Sequence, residues 1–284
     1  MTAAGVNMVE ERVTGAGGIG ITLRAWPVAG EPRAVVVLQH GFNAHGGHMQ
    51  WAAEQLNAAG YACYAVDLRG RGTSAGERFY VETIDDYTAD LDLAFARARA
   101  DHPGVPIFLL GHSAGGVTAV TYALDHQAAL AGLICHSFAF RVPAPRLVLD
   151  IVTWLSGLFP RLKVLRLKNA DFSRDPAWVA MMEADPLIAD EAQPARTVAA
   201  LWRADKRLEK SFDRITLPLL VIHGTADHAT VPAGSQMFHD QAGSADKAIT
   251  LYDGHYHDLL ADTGKERVMA DVVAWLDARA PAKA

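Results

Sequence analysis

Residues 111–115 read Gly-His-Ser-Ala-Gly, directly after the apolar run Ile107-Phe108-Leu109-Leu110. On a sharp turn between a strand and a helix, Ser113 would stand at a sheet edge as a nucleophile. Its hydroxyl is weak at neutral pH and needs an adjacent base, which in turn needs a group to orient it. Asp227 follows in His-Gly-Thr-Ala-Asp and histidines 255 and 257 in Gly-His-Tyr-His. Ser, then Asp, then His is the chain order of one known triad, and the chemistry would be acyl transfer through a serine ester. Asp227 would fix the base's tautomer and stabilise the imidazolium. Composition alone leaves His255 and His257 both open as that base. The tetrahedral intermediate would need two N–H donors. Those expected are the backbone N–H of Ala114, next after the nucleophile, and that of Phe42 in the loop His40-Gly41-Phe42-Asn43-Ala44-His45-Gly46-Gly47.

Residues so far apart in the chain meet only if separate strands deliver them to one edge. Strands are expected at 35–39, 61–67, 105–110, 131–136, 217–223 and 248–252, several continuously apolar, after an edge hairpin at 14–26. Helical spacing marks 51–59, 84–100, 115–126 and 267–278, as with Tyr87, Leu91, Ala94, Phe95 and Ala98. This alternation implies a mostly parallel central sheet flanked by helices on both faces. It fails from 140 to 212, where helical patterns and proline breaks show no convincing strand. The expected organisation is a core over 1–139 and 213–284, with a helical cap, 140–212, inserted between core strands over the carboxyl edge.

The cap is basic and apolar together. Arg141, Arg146, Arg161, Lys163, Arg166 and Lys168 stand against the single acid Asp150, interleaved with Leu147, Ile151, Trp154, Leu155, Leu158 and other apolar residues. Such a segment can lie on an anionic membrane surface, line a groove for an acyl chain, or simply pack on the core with its basic side in water. The chain of 284 residues has 32 acids against 26 bases, a formal charge of −6, which argues against nucleic-acid binding. Residues 1–11 show no basic and apolar leader, and no apolar stretch reaches a membrane span, so a cytoplasmic location is expected. Cys63 and Cys135 form no disulfide framework and read as buried thiols. The spacing of His40, His45 and His48 matches no zinc signature, and Gly70, Gly72 and Gly76 miss the dinucleotide register. Neither metal nor cofactor is expected.

Taken together, these segments closely resemble the monoacylglycerol lipase and lysophospholipase-like branch of the α/β-hydrolases, also described as serine aminopeptidase-like hydrolases. The resemblance runs from about residue 20 to 276. It is carried by His40-Gly41 with His45, Asp67-x-Arg69-Gly70-x-Gly72-x-Ser74-x-Gly76-Glu77-Arg78, residues 111–116, Ser173-Arg174-Asp175-Pro176, Ala184-Asp185-Pro186-Leu187, residues 218–227 and Tyr252-x-Gly254-x-Tyr256-His257. The last match implies His257 rather than His255 as the base, with Asp227 the acid and the Phe42 and Ala114 amides the oxyanion hole. The family's cap forms an apolar tunnel, which implies Leu147, Ile151, Leu155 and Leu158 as substrate-binding residues, with His136 at the rim. Many members touch membranes through the cap. Two departures stand out: Ala44 where members commonly carry Glu, and Cys135-His136-Ser137-Phe138 where Ser-Ala-Pro is frequent. The function implied is monoacylglycerol hydrolysis by a monomer or homodimer. Lysophospholipase, small-ester carboxylesterase and a catalytically silent binding protein are the alternatives. Dehalogenase and epoxide hydrolase relatives carry Asp where this chain has Ser113.

Overall fold

The computed structural model describes residues 8–282. Residues 1–7, which hold most of the stretch read as lacking a leader, lie outside them, as do 283–284. Among the described residues ten strands and eight α-helices follow in chain order. They are β1 (Val9–Thr14), β2 (Gly20–Trp26), β3 (Ala34–Gln39), α1 (Gln50–Ala58), β4 (Tyr61–Val66), α2 (Ile84–Asp101), β5 (Ile107–His112), α3 (Ala114–His126), β6 (Gly132–His136), α4 (Arg146–Leu155), β7 (Lys163–Leu165), α5 (Pro176–Ala184), β8 (Gln193–Pro194), α6 (Ala195–Leu208), β9 (Leu219–Gly224), α7 (Pro232–Gln241), β10 (Lys247–Tyr252) and α8 (Lys265–Asp277).

Eight strands form one sheet in the order β1-β2-β4-β3-β5-β6-β9-β10. From β4 to β10 every neighbouring pair is parallel, and only β2, antiparallel to both β1 and β4, runs against the rest. The central strands β3, β4, β5, β6 and β9 are buried at every position, which is why they read as apolar runs rather than alternations. Their side chains still alternate in destination. Val35 and Val37 join a core with Leu91 and Phe95 of α2 and Val117 and Val120 of α3. Val36 and Leu38 join one with Ala53 and Leu56 of α1 and Val272 and Leu276 of α8. Helix α2 begins on a capping box between Thr83 and Asp86. Helix α3 is buried around its whole circumference from Ala114 to Leu124, as a helix must be when layers enclose it.

Between β6 and β9 the chain leaves the sheet to form α4, α5 and α6. The sequence showed no convincing strand here, but two very short ones form, with Lys163 opposite Pro194 and Leu165 opposite Gln193. Runs this brief carry no readable alternation. Helix α4 rests on α6 through Asp150, which accepts from Trp202 Nε1 at 2.7 Å and Lys206 Nζ at 3.0 Å.

The tightest helix–sheet approach lies under α3. A Cβ on Gly115 would collide with the carbonyl oxygens of Gln39 and His40, and one on Gly111 would lie 2.6 Å from the Ala119 methyl. Backbone atoms cannot swing aside, so Gly115→Ala should lower unfolding stability by about 1–3 kcal/mol. Urea titration of the variant checks this.

Candidate active site

Ser113 joins β5 to α3 with φ 57° and ψ −124°, a conformation that non-glycine residues hold only when their surroundings enforce it. The enforcement is visible. Ser113 N–H donates to His136 O at 2.9 Å, and Ser113 O accepts from Gly116 N at 2.8 Å. Gly111 and Gly115 let α3 close on β5 and β3 behind the turn. Gly41 lets the neighbouring loop close in front of it: a Cβ there would lie 2.9 Å from Ser113 Cβ and 3.1 Å from Ala114 N. The Gly41–Phe42 segment is thereby set beside the Ala114 amide, and Phe42, Ser113 and Ala114 line one cavity.

His257 and Asp227 arrive on the loops after β10 and β9. His257 Nδ1 lies 2.7 Å from Asp227 Oδ2. Its Nε2 is buried and has no protein partner. Asp227 is held from several directions. Oδ1 accepts from the amides of Ala229 at 2.7 Å and Thr230 at 2.9 Å, and Oδ2 from Thr230 Oγ1 at 2.7 Å, with His223 Nε2 2.9 Å away. Burial works to raise the Asp227 carboxyl, but attraction to His257 and hydrogen bonds from His223, His257 and the Thr230 amide outweigh it. The group is held far below the usual carboxylate range. With Nδ1–H donated to this carboxylate, the tautomer leaves a lone pair on Nε2. His255, the rival from sequence, lies instead 3.4 Å from Asp262. Ser137 Oγ donates to His257 O at 2.6 Å, fixing the backbone of His257.

The loop after β3 is fastened from both sides. His40 Nε2 accepts from Leu68 N at 3.1 Å, so its Nδ1 bears the proton and donates to Gly41 O at 2.8 Å. Asp67, buried and paired with Arg24, accepts from Gly46 N at 2.7 Å. From the cap, Glu191 Oε1 accepts from Asn43 N at 2.9 Å while paired with the fully buried Arg71. His45 and His48 do not meet His40; both approach Asp185 Oδ2, at 2.9 and 2.7 Å. Because His45 Nδ1 accepts from Gly47 N at 3.0 Å, its Nε2 carries hydrogen toward Asp185 and offers no lone pair to an ion. The pair ties loop to cap.

The cavity above Ser113 has a volume of about 300 Å³. Its apolar walls come from α4, α6 and the segment around β7, but not from the residues the sequence suggested. Leu147, Ile151 and Leu158 are exposed, at 70, 49 and 62%, and Leu155 also lies outside the lining. Val148, Leu149 and Val152 face the cavity instead. Apolar residues surround α4 on most sides, so periodicity could not choose the inner face; Asp150 anchored on α6 fixes the rotation. His136 is likewise not at the rim. It is buried in β6, its ring 4.3 Å from that of His112, and its Nε2 accepts from Leu259 N at 2.8 Å. Sequence reading also passed over His223 as a strand-end residue, and Thr230 and Glu191 altogether. The Asp-x-x-Thr spacing from 227 to 230 was the local signal for Thr230. No local signal marks Glu191.

The family described as serine aminopeptidase, S33, matches residues 30–264. This chain belongs to that family. A monoacylglycerol lipase of Mycolicibacterium smegmatis is 32% identical over 94% of this chain and 96% of its own. A crystal structure of Paleococcus ferrophilus monoacylglycerol lipase superposes with a TM-score of 0.81 at 29% identity, covering 92% of this chain and 99% of that one. A soluble variant of Saccharomyces cerevisiae monoglyceride lipase, solved with a substrate analogue, gives 0.86 over 99% and 98% at 23% identity. The eight-stranded sheet and its helices are thus an α/β-hydrolase fold, as in these members. Among the described residues no helix is long and apolar enough to cross a membrane.

Several buried histidines give this family member a pH signature. Burial, partly opposed by Asp67, lowers His40 to about 3, and burial with His45 nearby lowers His48 to about 4. Burial followed by neighbouring histidines also pushes His112 and His136 down. A base depressed on folding binds its proton more readily when unfolded, so stability falls as pH drops below about 6.5 toward these values. Asp258, raised by burial to about 6, acts in the opposite direction as the pH falls through that value. Urea midpoints should therefore decline from pH 6.5 to 4, and His40→Gln should make that decline shallower.

Proposed function

We propose that Ser113 is the nucleophile, His257 the general base and acid, and Asp227 the orienting carboxylate of a serine ester hydrolase acting on monoacylglycerols. One observation carries the reading: His257 presents a buried, unpartnered Nε2 while its Nδ1 is locked on Asp227, its ring 4.9 Å from that of His112, the chain neighbour of a strained serine that lines an apolar cavity. Ser113 Oγ attacks the ester carbonyl as His257 Nε2 takes its proton. The oxyanion is received by the amides of Phe42 and Ala114. His257 then protonates the departing glycerol, and a water deprotonated by the same nitrogen releases the fatty acid. The likeness to the mycobacterial monoacylglycerol lipase along most of both chains supports the substrate.

The outward face of the cap supports membrane contact by the same enzyme. Leu147, Trp154, Leu158 and Phe159 are 59–70% exposed, with Arg161, Lys163, Arg166 and Lys168 following in the chain. Apolar side chains beside a basic segment suit an anionic lipid surface, where the substrate resides.

Ser113→Ala and His257→Ala should each reduce kcat on 1-monoacylglycerols by about 10⁴-fold or more. A panel with diacylglycerol, lysophosphatidylcholine and p-nitrophenyl C2–C16 esters checks the substrate. Turnover confined to C2–C4 esters would leave a small-ester carboxylesterase, and a dominant rate on lysophosphatidylcholine a lysophospholipase. Trp154→Ser with Leu158→Ser should weaken flotation with phosphatidylglycerol vesicles while leaving p-nitrophenyl butyrate turnover within about twofold.

A further inference from the structure

Asp205 is out of keeping with the cavity it lines. It lies on α6, is only 6% exposed, and its Oδ1 has no hydrogen-bond partner. It shares the cavity with Ser113, and Val148, Val152, Val198 and Leu201 wall that space. It also borders an adjoining recess of about 240 Å³. The donors around it are committed elsewhere. Arg146 gives one guanidinium nitrogen to Glu209 at 3.1 Å and the other at 2.5 Å, and its guanidinium carbon lies 5.3 Å from the Trp202 ring centroid. Trp202 Nε1 and Lys206 Nζ both go to Asp150. A buried carboxyl left without partners is destabilising, and such groups usually have a reason to persist.

We propose that Asp205 determines substrate specificity by hydrogen-bonding a hydroxyl carried on the substrate chain away from the ester. This deepens the reading of the Ser113 cavity as the acyl site and rests on it. Burial, with the charge of Glu209 beside it and Arg146 opposing, raises the Asp205 carboxyl well above the usual range. A carboxyl oxygen accepts from a hydroxyl in either protonation state, and a protonated carboxyl also donates to one, so the unpartnered Oδ1 suits an alcohol in either form. A plain alkyl chain in the same place would leave the carboxyl unpaired. A site built to hydrogen-bond a substrate group discriminates against the analogue that lacks it.

Binding can be read without catalysis. Ser113→Ala protein would be titrated by calorimetry with methyl esters of straight-chain C6–C12 acids and with their ω-hydroxy counterparts. At the length that reaches Asp205, the hydroxy ester should bind about tenfold tighter than the plain one. Adding Asp205→Val should reverse the order, because the hydroxyl then loses water without gaining a partner; adding Asp205→Asn should keep it. Equal affinities within twofold at every length, or weaker binding of every hydroxy ester, would overturn the proposal and point to water as the carboxyl's partner. A preference that survives Asp205→Val would overturn it too. Wild-type turnover of the same esters tests the triad separately. A binding preference without turnover would sink the hydrolase reading and leave the role of Asp205 standing.

Discussion

The carboxyl edge of this sheet is organised around one constraint, a non-glycine residue held at positive φ between β5 and α3. Such a conformation is unfavourable by about 1–3 kcal/mol, and it persists only where the neighbours leave no alternative. Here α3 is pressed so closely on β3 and β5 that positions 111 and 115 have no room for a side chain. Ser113 and Ala114 are thereby set at the wall of the cavity. Relaxing the turn would require α3 to leave a core it fills on every face. The strain is thus offset by the buried packing of α3 against β3 and β5.

Positioning the proposed second amide, that of Phe42, is a separate problem, because residues 40–45 have no regular structure to hold it. The solution uses buried charge. Asp67 with Arg24 anchors the loop at Gly46, and Glu191 with Arg71 anchors it at Asn43, next to Phe42. The Arg71 guanidinium also lies 4.6 Å from the centre of the Phe42 ring. Glu191 belongs to the segment between the cap helices, so cap seating and loop geometry are one equilibrium. Removing one partner of a buried pair leaves the other charge uncompensated, at a cost of about 3–5 kcal/mol. A cap that swung away with Glu191 would incur a penalty of that kind, which favours a hinged or local opening of α4 over displacement of the whole insertion.

Legibility in the sequence followed the range of the interactions concerned. The central strands were readable because burial on both faces leaves an uninterrupted apolar run, and the elbow because close packing demands glycine at fixed offsets from Ser113. Asp227 and His257 came from order along the chain and from the Gly-x-Tyr-His match. His257 could not be preferred over His255 on composition, since the difference lies in which ring reaches Asp227. Glu191, Arg71 and Asp205 were invisible for a related reason: what marks them is a buried charge or an unpaired oxygen, properties of the assembled core rather than of any window. The short strands β7 and β8 were below the length at which period two can be seen.

The misreading of α4 has a physical content of its own. A helix that packs by one apolar stripe shows a polar face, and periodicity then tells inside from outside. Helix α4 has a narrow polar stripe, Arg146, Asp150 and Thr153, but it runs along α6, where Arg146 meets Glu209 and Asp150 meets Trp202 and Lys206. Val148, Leu149 and Val152 line the cavity, while Leu147, Ile151 and Trp154 face out. With apolar groups on two sides, burial alone would leave the helix free to rotate about its axis. The rotation is settled by Asp150, its single acid, clamped by Trp202 and Lys206 of α6. That clamp does two things at once. It commits an apolar stripe to the cavity and another to the exterior, and it uses up Trp202 Nε1 and Lys206 Nζ, two α6 donors within three positions of Asp205. The unpaired carboxyl inside and the apolar surface outside are therefore consequences of the same contact, so a change at Asp150 should disturb both faces of the cap together.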